Sequence, residues 1–226
     1  MTATFAGLVA IVALAVLARI ALPLGDRYPL KAAGLFALIS GLSIGFLQQH
    51  HPFSRFGAAN QITTLRAILV VLVAGLVGEP TLPAVAVAAV AASVAATLLD
   101  GVDGWLARRN AIASSFGARF DMEVDALLIL GLSVLAWRHE KAGAWVVASG
   151  LLRYLFVAGG TVAPWLHAPL PASRRRQAIC VIQIVVLTLV MLPAMEPPIS
   201  SALAAAALAA LSYSFLIDTV WLWRQA

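Results

Sequence analysis

The sequence predicts an all-α fold, a polytopic membrane helical bundle. Three observations predict it. Of 226 residues, 62% are hydrophobic and only 11% charged, with a mean hydropathy of +0.96, whereas a soluble domain carries about a quarter charged residues. Eight apolar runs approach the roughly 20 residues that a helix needs to cross a bilayer. Between them stand breakers rather than long polar linkers: Pro23 with Gly25, Pro52, Pro80 with Pro83, Pro164 with Pro169 and Pro171, and Pro197 with Pro198.

The first run, near 3–23, holds no basic residue before Arg19, so it reads as a membrane helix and not as a cleaved signal peptide. The second, near 31–48, contains the G-x-x-x-G of Gly41 and Gly45, a spacing that lets helices approach closely in lipid. It ends at His50 and His51, which have no carboxylate near in sequence and make poor metal ligands. The third, near 62–79, opens on N-Q-I-T-T-L-R. The fourth, near 82–107, is rich in Ala and Val and ends on a pair of aspartates. The fifth, near 117–137, begins on another pair. The sixth, near 143–163, carries Arg153. The seventh, near 176–195, follows Arg174, Arg175 and Arg176 and contains Cys180. The eighth, near 199–223, holds Asp218 and the belt-type aromatics Trp221 and Trp223. One cysteine allows no intrachain disulfide and no cysteine-based metal site; in an apolar run it reads as a small buried hydrophobe.

Eight crossings put both termini on one side. That side receives Arg55, Arg66, Arg108, Arg109, Arg119, Arg174, Arg175, Arg176 and Arg224; the other receives Arg19, Arg27, Lys31, Arg138 and Lys141. The asymmetry orients both termini, and the aspartate pairs, toward the cytoplasm. The net charge of +5 is explained by these loops and by anionic lipid heads. Nucleic-acid binding would need an exposed basic face on a soluble fold, so no nucleic-acid partner is expected.

The acids are informative because they are few. Five of the ten lie between Asp100 and Asp125: Asp100, Asp103, Asp121, Glu123 and Asp125. Asp100 and Asp103 are spaced i, i+3, and Asp121 and Asp125 i, i+4, so each pair shares a helix face. A short turn around Asn110 to Ser115 would make the two helices antiparallel neighbours and bring the pairs together at the membrane boundary. Carboxylates so placed repel one another unless cations sit between them. Oxygen ligands without His or Cys select Mg²⁺, Mn²⁺ or Ca²⁺ over Zn²⁺. Gly104, Ala107 and Gly117 leave room for a ligand against the backbone, and Arg108 can neutralise a phosphate. Carboxylates, metal and arginine beside small residues describe a site for a diphosphate, whose chemistry needs mainly positioning and charge neutralisation.

The spacing D-x-x-D-G-x-x-A-R, eight residues, then G-x-x-x-D-x-x-x-D resembles the signature of the CDP-alcohol phosphotransferase family of membrane enzymes. Asp100, Asp103, Gly104, Ala107, Arg108, Gly117, Asp121 and Asp125 fill its fixed positions. Upstream, Asn60, Thr63 and Arg66 look like the N-x-x-T-x-x-R segment that opens the family's first core helix, with Ala59 in place of the usual proline. The resemblance covers roughly residues 55 to 220. It implies six core transmembrane helices plus two N-terminal ones, divided as a helix pair over 1–50 and a phosphotransferase membrane domain over 51–226. It implies that Asp100, Asp103, Asp121 and Asp125 hold Mg²⁺ or Mn²⁺, two ions in all. Asp125 would also be the general base. Gly104, Ala107, Arg108, Gly117, Asn60, Thr63 and Arg66 would bind the CDP part. The implied reaction is attack of a small alcohol on the β-phosphorus of CDP-diacylglycerol or a related CDP-linked donor, releasing CMP. A homodimer and a bacterial inner membrane are further expectations of the resemblance.

Several residues weigh differently. Glu123 is off the motif and reads as solvated or arginine-paired. Arg153, inside a membrane helix, is a functional suspect by position and suits an acceptor's phosphate or a lipid head; snorkelling is its plainer reading. Arg174 is a candidate for a phosphorylated acceptor such as glycerol 3-phosphate or an inositol phosphate, while the arginine run as a whole reads first as a positive-inside anchor. Asp218 invites an arginine partner. Two other functions compete. A divalent-cation transporter would want acids along a mid-membrane path, and here they cluster at helix ends beside Arg108. A non-catalytic scaffold has no physical reason to keep four adjacent carboxylates.

Overall fold

The computed structural model describes the backbone of residues 2–50, 58–110 and 115–226 and the side-chain surroundings of 7–41, 64–101 and 121–226. The described elements are helical: α1 (Thr2–Ala21), α2 (Tyr28–His50), α3 (Ala58–Gly75), α4 (Pro83–Asn110), α5 (Ser115–Arg138), α6 (Ala148–Val162), α7 (Arg174–Val190) and α8 (Ile199–Trp223), with single 3-10 turns at Ala144–Val147 and Pro164–His167. Each predicted apolar run overlaps one of the eight helices, with 62–79 running four residues past α3, 176–195 five past α7 and 143–163 starting at the 3-10 turn before α6; the all-α membrane-bundle class is what the chain adopts. Among the described residues three stretches are long and apolar enough to cross a membrane: Pro83–Gly101, Ala144–Val162 and Ile199–Trp223. Gly7–Ala21 and Thr64–Gly75 are shorter apolar stretches. In α5 the acids occupy the first turns, and α7 opens on three arginines, which shortens the uncharged part of both.

The chain forms two compact units, Met1–Leu128 and Ile129–Ala226, and α5 contributes to both. In the first, α4 packs along α3, and α1 and α2 pack on each other and on α3. Ala86, Ala89, Ser93 and Ala96 recur every three or four residues on α4 and are all buried. That spacing is one helix face, and small side chains there let α4 lie close to a neighbour. Val70, Val71 and Val73 of α3 are buried as well. Among the described residues nothing lies within 4 Å of a Cβ built on Gly41; Gly45 lies outside the described side chains.

One end of this unit is pinned by polar contacts. The carboxylate of Glu79, in the α3–α4 connection, accepts the Gly25 N–H at 2.6 Å and pairs with Lys31. Lys31 also donates to the Val77 carbonyl at 3.2 Å, and the Tyr28 hydroxyl donates to the Leu72 carbonyl at 3.0 Å. The N-terminal helix pair is thus tied to the far end of α3 by groups whose hydrogen bonds are satisfied.

In the second unit α7 packs on α8, and α6 on α8. Gly150 brings α6 against the end of α5: a Cβ there would lie 2.4 Å from the Leu130 Cα. Phe156 and Phe215 meet edge to face with ring centroids 5.6 Å apart, a favoured aromatic geometry. Lys141, after α5, donates to Glu196 at 3.0 Å and to the Pro193 carbonyl at 3.3 Å, while Ser200 donates to the Lys141 carbonyl at 2.6 Å. Here too the connections at one end are joined by charge and hydrogen bonds.

Candidate active site

Three helices of the first unit bring charge together at the end away from Glu79. Arg66 lies in the third turn of α3, Asp100 near the end of the apolar part of α4, and Asp121 and Asp125 in the first turns of α5. The helix α4 does not stop at the aspartates; it runs on to Asn110. Asp100 and Asp103 are therefore held on helical backbone well before the helix end.

The guanidinium of Arg66 gathers the carboxylates. One terminal nitrogen pairs with Asp100 at 2.6 Å and also with Asp121; the other pairs with Asp125. The Arg66 side chain is only 2% exposed, whereas those of Asp100, Asp121 and Asp125 are 31%, 38% and 19% exposed. The arginine thus meets the acids from the buried side, and the acids keep a face toward the outside. The Arg66 Nε–H is buried without a hydrogen-bond partner among the described residues. A buried unsatisfied donor costs about 1–3 kcal/mol, so Arg66 is held by charge at the expense of one hydrogen bond.

The sequence-predicted residues divide as follows. Asp100, Asp121, Asp125 and Arg66 are brought together. Asp103, Gly104, Ala107 and Arg108 lie on α4, Asn60 and Thr63 on α3, and Gly117 on α5, all outside the described side chains. Arg153 on α6 and Arg174 at the start of α7 belong to the second unit; Arg174 is exposed. Its neighbours Arg175 and Arg176 turn to Asp218, at 2.5 Å and 3.4 Å, and Arg175 also donates to the Ser214 carbonyl at 2.8 Å. Asp218 therefore has arginine partners, and two of the three arginines in the run serve the packing of α7 on α8. The pairing of Arg66 with the aspartates is what sequence reasoning missed. A signal was present: a lone arginine inside an apolar run calls for an acidic partner.

Among the described residues, no group of three or more His, Cys, Asp and Glu side chains is arranged to hold a metal ion. The carboxylates instead converge on a guanidinium. In chemistry the donor set fits a hard divalent cation, since it is all oxygen, and the positive charge already drawn into its midst shows that these side chains together accommodate a cation.

An all-α bundle of membrane type, with carboxylates from two helices gathered on the arginine of a third, defines a helical membrane protein with a polar site for a charged ligand. The family model for CDP-alcohol phosphatidyltransferase matches residues 56–217, and the chain belongs to that family. Helices α1 and α2 lie outside the match. The CDP-diacylglycerol–glycerol-3-phosphate 3-phosphatidyltransferase of Bacillus subtilis (strain 168) is similar to it, 27% identical over 115 residues, which is 46% of this chain and 60% of that protein. The chain thus spans about 60% of that relative's length. No solved structure matches.

Proposed function

We infer that the chain is a membrane-embedded, phospholipid-synthesising transferase that joins an alcohol to the phosphatidyl group of CDP-diacylglycerol or a related CDP-linked donor. The observation that carries this reading is the convergence of Asp100, Asp121 and Asp125 on the Arg66 guanidinium within a stretch that matches the family. The bond that forms joins the alcohol oxygen to the β-phosphorus. The bond that breaks joins that phosphorus to the bridging oxygen, and CMP departs with the electron pair. The alcohol's proton goes to Asp125. A base needs only to reach that proton, and Asp125, the innermost of the three described acids, stands on α5 one turn past Asp121.

Asp100, Asp103, Asp121 and Asp125 would hold Mg²⁺ or Mn²⁺. A divalent ion bound there would neutralise the diphosphate and stabilise the departing CMP. Asn60, Thr63, Gly104, Ala107, Arg108 and Gly117 would line the CDP part, on the three helices that frame the aspartates. Arg153 and Arg174 would serve the acceptor. The likeness to the Bacillus subtilis 3-phosphatidyltransferase of glycerol 3-phosphate supports a phosphorylated acceptor, glycerol 3-phosphate before an inositol phosphate. Residues 51–226 would form the catalytic domain and residues 1–50 an added helix pair. The site would face the cytoplasm from a bacterial inner membrane, as lipid-borne donor and soluble acceptor require, and a second copy of the chain is a further expected partner. The guanidinium amid the aspartates speaks against a transit path for cations.

The test is CMP release by the purified protein from CDP-diacylglycerol with Mg²⁺ or Mn²⁺ against a panel of alcohols. Metal-dependent release with glycerol 3-phosphate alone is the expected result. Cation uptake into proteoliposomes without CMP release would overturn the reading in favour of a transporter.

A further inference from the structure

We propose that Arg66 is a tethered counter-cation, which holds the aspartate cluster together in the metal-free protein and must release it when divalent ions bind. The proposal rests on the reading of the aspartates as metal-holding residues, and it assigns Arg66 a role in the metal-free protein that precedes any contact with the CDP part.

Three features of the site carry it. The guanidinium lies where carboxylates of α4 and α5 converge, and it contacts Asp100, Asp121 and Asp125 at once. That is the place a cation held by these side chains would take, and with the guanidinium there no group of described acids is arranged to hold a metal ion. Next, the arginine is buried while all three acids keep an outward face, so an incoming ion meets the carboxylates from the side opposite the guanidinium and competes with it for their oxygens. Lastly, the Nε–H of Arg66 has no described partner. A guanidinium fixed permanently in a low-dielectric floor would be expected to have its donors satisfied; one that changes partners between two states is satisfied fully in neither. Without any cation the carboxylates would repel one another and the three helices would lose their joint. With two divalent ions in place, Arg66 would bring a further positive charge beside them. An arginine cannot shed its charge by deprotonating, so relief comes only by withdrawing from the carboxylates. A diphosphate is the natural next partner for a planar donor fork.

The experiment uses the full chain in detergent and Mn²⁺ alone, with binding read by electron paramagnetic resonance. Arg66→Gln removes the competing charge, so its Mn²⁺ affinity in the absence of CDP should rise roughly tenfold or more over the wild type. Arg66→Lys keeps the charge without the fork and should lie between. The wild type supplies a second measurement that needs no variant to fold: Arg66 should be unreactive to phenylglyoxal in the metal-free protein and become reactive with Mn²⁺, as mapped by mass spectrometry. If Mn²⁺ binds through the aspartates, as shown by its loss in Asp100→Asn and Asp121→Asn, yet Arg66→Gln binds no tighter and Arg66 stays protected, the exchange is refuted and the metal reading stands. Mn²⁺ binding indifferent to both aspartate substitutions overturns the metal reading and the exchange together.

Discussion

Replacing Asp125 by Asn separates its chemical role from its structural one. Asparagine keeps the shape and a carbonyl acceptor but loses the charge and the capacity to take a proton. Structurally, Arg66 loses one of three described carboxylates and keeps Asp100, at 2.6 Å, and Asp121. The guanidinium is 2% exposed and Asp125 19% exposed, so the contact is well shielded, yet the positive charge is not orphaned. One charge-assisted hydrogen bond weakened to a neutral one puts the loss of stability at about 1–2 kcal/mol. Loss of a general base slows turnover roughly 10²- to 10⁴-fold, which is about 3–5 kcal/mol of activation free energy. The catalytic effect thus exceeds the structural one, and the two are measured separately: CMP release at saturating donor for the first, thermal unfolding in detergent for the second. The reasoning is refuted if the folded Asp125→Asn protein turns over within about threefold of the wild type. It is refuted equally if turnover and donor binding fall together in proportion to a collapse of thermal stability, because Asp125 would then be an anchor for Arg66 and nothing more.

Other substitutions probe the frame around this site. Glu79→Ala leaves the Gly25 N–H without its acceptor and Lys31 without its counter-charge, with the Val77 carbonyl still in reach, and should destabilise the first unit by about 2 kcal/mol, the Lys31 side chain's 37% exposure keeping the cost below that of a fully buried pair; an unchanged melting temperature would show that the pin carries no stability. Gly150→Ala drives a methyl to 2.4 Å from the Leu130 backbone and should cost about 1–3 kcal/mol, read by the same unfolding assay. Burial, and then the charges of Lys141 and Arg138, push His139 below its ordinary value. Stability from this group is therefore complete above the unfolded-state value of about 6.5 and drains as pH falls toward the lower folded value, because the unfolded chain takes the proton first; His139→Gln should flatten that acid limb of a melting curve. Arg153→Ala should raise the acceptor's KM far more than the donor's, and an acceptor KM equal to that of the wild type would remove Arg153 from the acceptor site.

Helix identity was legible because hydropathy alone decides it in an apolar chain, and all eight runs overlap helices. The aspartates were legible because a helix repeats every 3.6 residues: spacings of three and four put Asp100 with Asp103, and Asp121 with Asp125, on shared faces whatever the rest of the chain does. What those faces turn toward is a long-range matter. Arg66 meets Asp121 and Asp125 across 55 and 59 residues, and no local pattern encodes that distance. The same holds for Lys31 with Glu79 and Lys141 with Glu196, where ordinary charges near helix ends become joints between distant parts of the chain. Asp218 shows the intermediate case. Its isolation in an apolar helix left two readings, an arginine partner or a place near the helix end, and only the packing of α7 on α8 selects Arg175 and Arg176 as its partners.

The charge contacts of the chain sort by what they can do. Lys31 with Glu79 and Lys141 with Glu196 each set one cation against one carboxylate; the first joins the start of α2 to the α3–α4 connection, the second joins two connections. Asp218 is met by two arginines. Such sites have no call for a further cation, and their chemistry ends at holding helices together. At Arg66 the proportion is reversed: three carboxylates from two helices share one guanidinium, and they do so with part of each acid still reachable from outside. Gathering like charges costs free energy that no packing gain in the same place requires, since one acid would pin Arg66 as well as three. A helical frame that spends stability in this way is built to receive positive charge, which is why the site, and not the more numerous ion pairs around it, is where the chemistry of this chain is to be sought.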